Sequence, residues 1–228
     1  MDGILLIDKP AGWTSFDVVA KVRGVLSKEA GHKVKVGHSG TLDPFATGLL
    51  VLLIGKYTKK SDEFLKLNKT YEATLTLGKT STTGDPEGGI TPVNDRQPTH
   101  EEVISTLNTF FCQITQTPPI FSAIKINGQR AYKLARAGKT PVMEPRQVEI
   151  YDIMLLSYDY PELKIETKVS SGTYIRSLAV DIGEVLGVGA YLTELRRTKT
   201  AEYDVSSAIV PKDMLVEELL DNMSTSMV

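Results

Sequence analysis

The sequence predicts an α+β fold, because strand and helix periodicities are both present along its 228 residues. Three stretches carry that prediction. Leu49 to Ile54 is a continuous apolar run closed by Gly48 and Gly55, which reads as a buried strand. Thr70 to Leu77 alternates, with Tyr71, Ala73, Leu75 and Leu77 on one face and Glu72, Thr74 and Thr76 on the other, which reads as a half-buried strand. Phe16 to about Leu26 instead places Val18, Val19, Val22, Val25 and Leu26 on one helical face, with Thr14 or Ser15 available to cap it.

The other elements follow in order. Gly3 to Ile7 is a strand that ends in the turn Asp8-Lys9-Pro10; Lys9 and Pro10 read as scaffold, and Trp13 as core or groove wall. Gly78 to Asn94 is rich in Gly, Thr and Pro, has no periodicity and is assigned no chemistry. Thr99 and Glu102 form a capping box for a helix from about Glu101 to Phe111 that buries Val103, Leu107 and Phe110. Cys112, at its end, reads as inert. Gln116 to Lys125 is a rigid, extended approach, Asn127-Gly128 a turn, and Arg130 to Ala137 a short helix ended by Gly138. Gln147–Leu156 and Leu163–Val169 read as strands. Ile175 to Leu186 reads as a helix stopped by Gly187. Pro211 to about Leu220 reads as a last short helix, and Asp221 to Val228 as a disordered tail.

One loop stands out. Gly37-His38-Ser39-Gly40-Thr41-Leu42-Asp43-Pro44-Phe45-Ala46-Thr47-Gly48 is polar and glycine-rich, and the buried strand behind it pins it to the core. Asp43 precedes a proline, which biases it toward an extended conformation. Two readings stand: a turn in which Asp43 bonds its own backbone, or a carboxylate aimed at a substrate. His38 is either a titratable group of a site or a loop histidine bonded to backbone.

Composition bounds the rest. An apolar fraction of 41% and a charged fraction of 24% are those of an ordinary soluble globular protein. The single cysteine excludes an intramolecular disulfide and a multi-cysteine metal site, and fits a reducing cytoplasm. The first residues have neither the length nor the flanks of a signal peptide or membrane span. No Walker loop, dinucleotide fingerprint or metal-spaced cluster is present. The net charge of −2 gives no support to nucleic-acid binding, but its distribution does. Residues 201–228 hold one lysine against six acids, so the remaining residues carry +3. Residues 125–146 hold Lys125, Arg130, Lys133, Arg136, Lys139 and Arg146 against Glu144 alone. Such a segment is either a phosphate-binding surface or a solvated helix face. Arg176 falls in the first turn of its helix, where the dipole favours anions, so a carboxylate partner is expected for it.

Several stretches, between about residues 3 and 204, resemble the TruB family of tRNA pseudouridine synthases. GHSGTLDPFATGLL is similar to the family's catalytic motif, without gaps and centred on its aspartate. LLIDKPAGWTSFDVV and KTYEA, PPIFSAIKINGQRAYKLAR, and SSGTYIRSLAVDIGEVLGVGAYLTELRRT resemble its other motifs. The resemblance implies a mixed, mostly antiparallel central sheet flanked by helices, with a thumb insertion at about 121–146 that folds over RNA. It implies that Asp43, Tyr71 and Arg176 are catalytic, with Arg176 paired to Asp43 and Tyr71 stacked on the uracil. It further implies that His38, Tyr174, Leu195, Lys125, Arg130, Lys133 and Arg136 bind substrate. Without it, Tyr71 and Leu195 would read as plain core residues. Residues 1–210 are then one catalytic domain, and 211–228 are too short for the PUA domain that many members carry.

The implied reaction breaks the bond between ribose C1′ and uracil N1 and rejoins the base through C5, at uridine 55 in the T arm of tRNA. It needs no cofactor and no metal. A carboxylate suits it, as in retaining glycosidases, and a guanidinium partner would keep that carboxylate ionised. The expected partner is a tRNA T stem-loop, with no membrane, and the expected state is a cytoplasmic monomer. Two rivals are an RNA-binding or tRNA-folding chaperone that needs no catalysis, and a nucleoside glycosylase, which would carry a second acid near the first.

Overall fold

Strand β3 (Thr47–Ile54) is buried along nearly its whole length because both of its faces are covered. A computed structural model describes residues 1–122, 124–126, 128–211 and 216–223. The described chain divides into two units, Met1–Glu72 with Leu195–Val228, and Ala73–Glu194.

In the first unit β3 is flanked on its edges by β1 (Gly3–Lys9) and β2 (Val36–Ser39), both antiparallel to it. Leu50, Leu52 and Ile54 face one way and pack with Val18, Val19, Val22 and Leu26 of α1 (Ser15–Ala30). Leu49, Val51 and Leu53 face the other way, onto Phe64 of α2 (Ser61–Leu65). Each such apolar side chain contributes about 1.5–3 kcal/mol on burial. Thr14 caps α1 in a capping box with Asp17, as one of the two expected candidates. Trp13 packs against the α1 core. Strand β4 (Lys69–Leu77) begins in this unit and β12 (Ala190–Thr200) ends in it; β12 is parallel to the start of β3, with Arg197 opposite Gly48. Gly48 has φ +99°, and a Cβ there would lie 2.2 Å from the Arg197 carbonyl oxygen, so only glycine permits this approach.

The second unit holds the remainder of β4 and β12 with β7 (Gln113–Gln116), β10 (Arg146–Asp159) and β11 (Glu162–Val169). Strand β10 is antiparallel to both β7 and β11. Helix α3 (His100–Thr109), with the expected Thr99–Glu102 capping box, packs on β10 and on α5 (Ile175–Val185). The face of β4 expected to be apolar is buried, with Tyr71, Ala73, Leu75 and Leu77; on the other face Glu72 and Thr76 are half-buried as expected, but Thr74 is buried and bonds Glu194. Among the strand pairs with a described register, β3–β12 is parallel and the others are antiparallel, and an isolated bridge between Ile7 and Ile209 is parallel too, so the mixed, mostly antiparallel α+β expectation holds.

The stretch 78–94, expected to be irregular, contains a small hairpin of β5 (Lys79–Ser81) and β6 (Ile90–Pro92). In the thumb region, β8 (Lys125–Ile126) and β9 (Gln129–Arg130) form a hairpin that leads into α4 (Ala131–Arg136). Gly128 there has φ +82°, while Asn127, the other half of the expected turn, lies outside the described residues, as does Ala123. At the C-terminal end the short strand β13 (Tyr203–Asp204) precedes α6 (Val216–Asp221), the described part of the expected last helix; residues 224–228 of the expected tail lie outside the description.

Candidate active site

The loop around Asp43 is fixed by residues from three segments of the first unit. Ser15 Oγ accepts the Leu42 N–H at 2.9 Å and donates to the Leu42 carbonyl at 3.2 Å. The Pro44 carbonyl accepts the Gly12 N–H at 2.8 Å and the Lys9 ammonium at 3.3 Å. Both neighbours of Asp43 are therefore held. The Ala46 N–H closes a turn onto the Asp43 carbonyl at 3.1 Å, with Pro44 in the position that proline favours. The Arg197 side chain is 1% exposed; it donates Nε–H to the Leu49 carbonyl at 2.7 Å and an Nη2 hydrogen to the Gly40 carbonyl at 3.1 Å.

Three cations back this loop. Lys9 is fully buried and also donates to the carbonyls of Pro10 (2.8 Å) and Trp13 (2.7 Å). Burial pulls its pKa down to about 8, opposed by the charges of Asp43 and Asp17 and helped by Arg197. Lys69, 6% exposed, donates to the carbonyls of Leu65 and Leu67, and burial followed by Arg197 lowers it to about 8 as well. Asp43, half-buried, thus lies in a field of buried positive charge.

Strand β12 carries Leu195, and its neighbour β4 carries Tyr71; Thr198 Oγ1 donates to the Thr70 carbonyl at 3.3 Å. Arg196 stands opposite Thr47, directly after the loop. The first unit therefore gathers the Asp43 loop, Leu195 and Tyr71 through three adjacent strands, and both side chains are 8% exposed. His38 sits on β2 opposite Leu52, half-buried.

The second unit holds Arg176, Tyr174 and the thumb cations. Arg176 is 5% exposed in the first turn of α5. Its Nη1 donates to Asp85 Oδ2 at 3.0 Å and to the Thr83 carbonyl at 3.2 Å, and its Nη2 to the Phe121 carbonyl at 2.8 Å. Asp85, 4% exposed, also accepts Thr83 Oγ1–H at 2.6 Å and the Glu87 N–H at 3.1 Å. A carboxylate partner for Arg176 was expected from the helix dipole; Asp85, in the stretch to which no chemistry was assigned, is one. The arginine joins the β5–β6 loop, the root of the thumb and α5. Tyr174 is locked by buried Gln116, which accepts its N–H at 2.7 Å and donates to its carbonyl at 3.0 Å; Arg146 lies over its ring at 5.0 Å. Lys125, Arg130, Lys133 and Arg136 are exposed, with Arg136 over the Tyr132 ring at 5.7 Å.

Sequence reasoning missed Asp85, Arg197 and Lys69. Only the unmatched charge of Arg176 pointed toward the first.

Solved structures share this fold. A Cbf5-Nop10-Gar1 complex matches with TM-score 0.72 and 30% identity over 94% of the chain and 54% of its counterpart. An H/ACA RNP bound to a substrate RNA containing 2'-deoxyuridine matches with TM-score 0.68 and 28% identity, over 94% and 52%. The chain spans about half the length of these structures. Residues 28–175 match the TruB family pseudouridylate synthase (N terminal domain), and residues 176–225 the tRNA pseudouridylate synthase B C-terminal domain. The chain is 44% identical over 220 residues to tRNA pseudouridine synthase B of Aquifex aeolicus, covering 96% of itself and 75% of that relative. It is 45% identical over 213 residues to the protein of that name from Parabacteroides distasonis, covering 92% and 91%. The chain belongs to the TruB family of pseudouridylate synthases and is an isomerase of that kind.

Proposed function

We propose that this pseudouridine synthase isomerises uridine 55 in the T-arm loop of tRNA, with Asp43 as the nucleophile. The observation that carries this reading is the fixing of Asp43 from both sides, through Leu42 to Ser15 and through Pro44 to Lys9 and Gly12. Whether the carboxylate acts at C1′ or at C6 of the uridine, or through an elimination at the sugar, it must be held with little freedom, because misplacement of about 1 Å costs roughly a hundredfold in rate. In this reading Arg176, whose guanidinium bonds Asp85, also serves as the cation that aligns Asp43 and holds it ionised, as the family resemblance implies. The uridine leaves its stack at a cost of a few kcal/mol and is received by Tyr71, Leu195, His38 and Tyr174. Tyr71 offers an aromatic face for the base and a hydroxyl that donates or accepts a proton. The thumb cations Lys125, Arg130, Lys133 and Arg136 hold the phosphates of the stem-loop. The enzyme works as a cytoplasmic monomer.

The relatives named tRNA pseudouridine synthase B support tRNA as the substrate class. The test is tritium release from tRNA labelled at C5 of its uridines, since base isomerisation expels that hydrogen whereas binding alone or hydrolysis of the glycosidic bond leaves it in place. Release is expected with the native sequence and is lost when position 55 alone is cytidine. Release that persists on the cytidine tRNA overturns the assignment to position 55; binding with no release at all favours a tRNA-folding chaperone.

A further inference from the structure

The first unit carries a basic concavity whose residues have no part in the proposed reaction. A groove of about 380 Å³ opens beside Gly55, at the end of β3 away from Asp43. Lys33, Lys35, Lys56 and Lys59 line it, and Asp2 is the acid among its lining residues. Backbone bonding fixes the two lysine-bearing segments together: the Gly55 N–H donates to the Lys35 carbonyl at 2.8 Å, and Val36 pairs with Ile54. Lys56 is matched by Asp2, 3.6 Å away. Lys33, Lys35 and Lys59 are exposed and form no ion pair among the described residues. Three uncompensated cations around one hollow repel each other, which is unfavourable until an anion enters.

The eight residues of β3 separate this groove from the Asp43 loop. That is about 23 Å at roughly 3.3 Å per residue, and more than twice a Debye length of about 8 Å at physiological salt. At that range salt screens these exposed lysines from Asp43, so their charge is available to a ligand at the groove itself. We propose that the groove binds the sugar–phosphate backbone of the substrate tRNA at a point remote from the reacting loop. This rests on the tRNA reading above. An RNA backbone fits better than a single phosphate because the lysines spread along the rim on two segments rather than converging on one buried point.

The test is the variant Lys33→Gln/Lys35→Gln/Lys59→Gln, measured on whole tRNA and on a hairpin cut down to the T loop and its closing pairs. On whole tRNA, Kd should rise about tenfold at physiological salt, and the log Kd–log salt slope should become shallower by about 2–3. The hairpin should bind and turn over as with the native protein, and kcat at saturating tRNA should not change. An unchanged Kd and salt slope on tRNA overturns the proposal and leaves the groove to an acidic protein surface. Equal losses on both substrates overturn it too, since they would place the effect at the reacting loop. Turnover of the hairpin by the native protein reports separately on the tRNA-loop reading.

Discussion

The Asp43 loop and the thumb region are both functional in sequence pattern, yet they are built in opposite ways. In the loop, Leu42, Pro44 and Gly40 are each bonded to a different segment, and the cations Lys9 and Arg197 that hold them are buried. In the thumb, arginines grip the roots, Arg176 at the Phe121 carbonyl and Arg146 at the Gly172 carbonyl, while the cations between them stand in solvent. The same residue types thus do two jobs. Buried, they spend their donors on backbone and fix a geometry; exposed, they keep their charge for a polyanion. The comparison predicts that loop variants lose turnover or stability while thumb variants lose affinity.

The largest expected effect is at Asp43. Asp43→Asn removes the charge and nucleophilicity but keeps the shape, so kcat should fall by about a thousandfold or more while the Kd for tRNA stays within about twofold. Single-turnover kinetics beside filter binding measures both. Near-native turnover would take Asp43 out of the chemistry and make the rigid loop a purely structural device.

Next is Asp85. Arg176 and Asp85 are both almost fully buried, so Asp85→Ala strands a buried guanidinium. The cost should be about 3–5 kcal/mol in urea unfolding. Asp85→Asn, which keeps an oxygen acceptor for Thr83 and Glu87, should lose less. Equal stability of Asp85→Ala and the native protein would show that other partners suffice for Arg176.

The strands and helices that bury one clean face were legible in the sequence. Alternation gave β4, the apolar run gave β3, and valine spacing gave α1. Illegible features share a cause: they depend on which distant segments meet. Arg197 and Lys69 look like surface charges in one dimension and are buried only because backbone carbonyls surround them. The division into two units leaves no turn or linker signal, since the chain crosses it inside β4 and inside β12. Ser15 reads as a helix cap, but Thr14 takes that role and Ser15 holds Leu42. Within the candidate site, Asp43 was marked by its loop and Arg176 by its misplaced charge. The identity of Asp85 as a partner was not, because any of several acids would have satisfied the dipole argument.

A smaller effect separates the loop from the thumb by pH. Lys9 titrates near 8, and its ammonium has as many N–H donors as the three carbonyls it serves. As pH rises through about 8, Lys9 loses a donor, its hold on Pro44 loosens, and kcat should fall severalfold. Stability should move the other way. The folded pKa lies below the unfolded value of about 10.4, so between the two the unfolded chain binds more protons and the Lys9 contribution to stability grows with pH. Lys69 has the same sign and window. Lys9→Met should give a low kcat with a flattened alkaline limb, while tRNA affinity follows the native pH profile. A native-like kcat in that variant would mean the Ser15 and Gly12 bonds fix the loop alone.

The smallest effect sharpens the other side of the comparison. Lys133 and Arg136 are exposed on α4, and neither is needed to hold a backbone in place. Lys133→Ala/Arg136→Ala should raise the Kd for tRNA several-fold and make the log Kd–log salt slope shallower by about 1.4–1.8, the release expected for two phosphate contacts. Stability should stay within about 0.5 kcal/mol of native, as for surface substitutions generally. Titrations at two or more salt concentrations measure the slope. Loss of affinity with an unchanged slope would mean that α4 contributes shape or stacking through Tyr132 instead of charge, and the contrast between a held loop and a charged thumb would then rest on geometry alone.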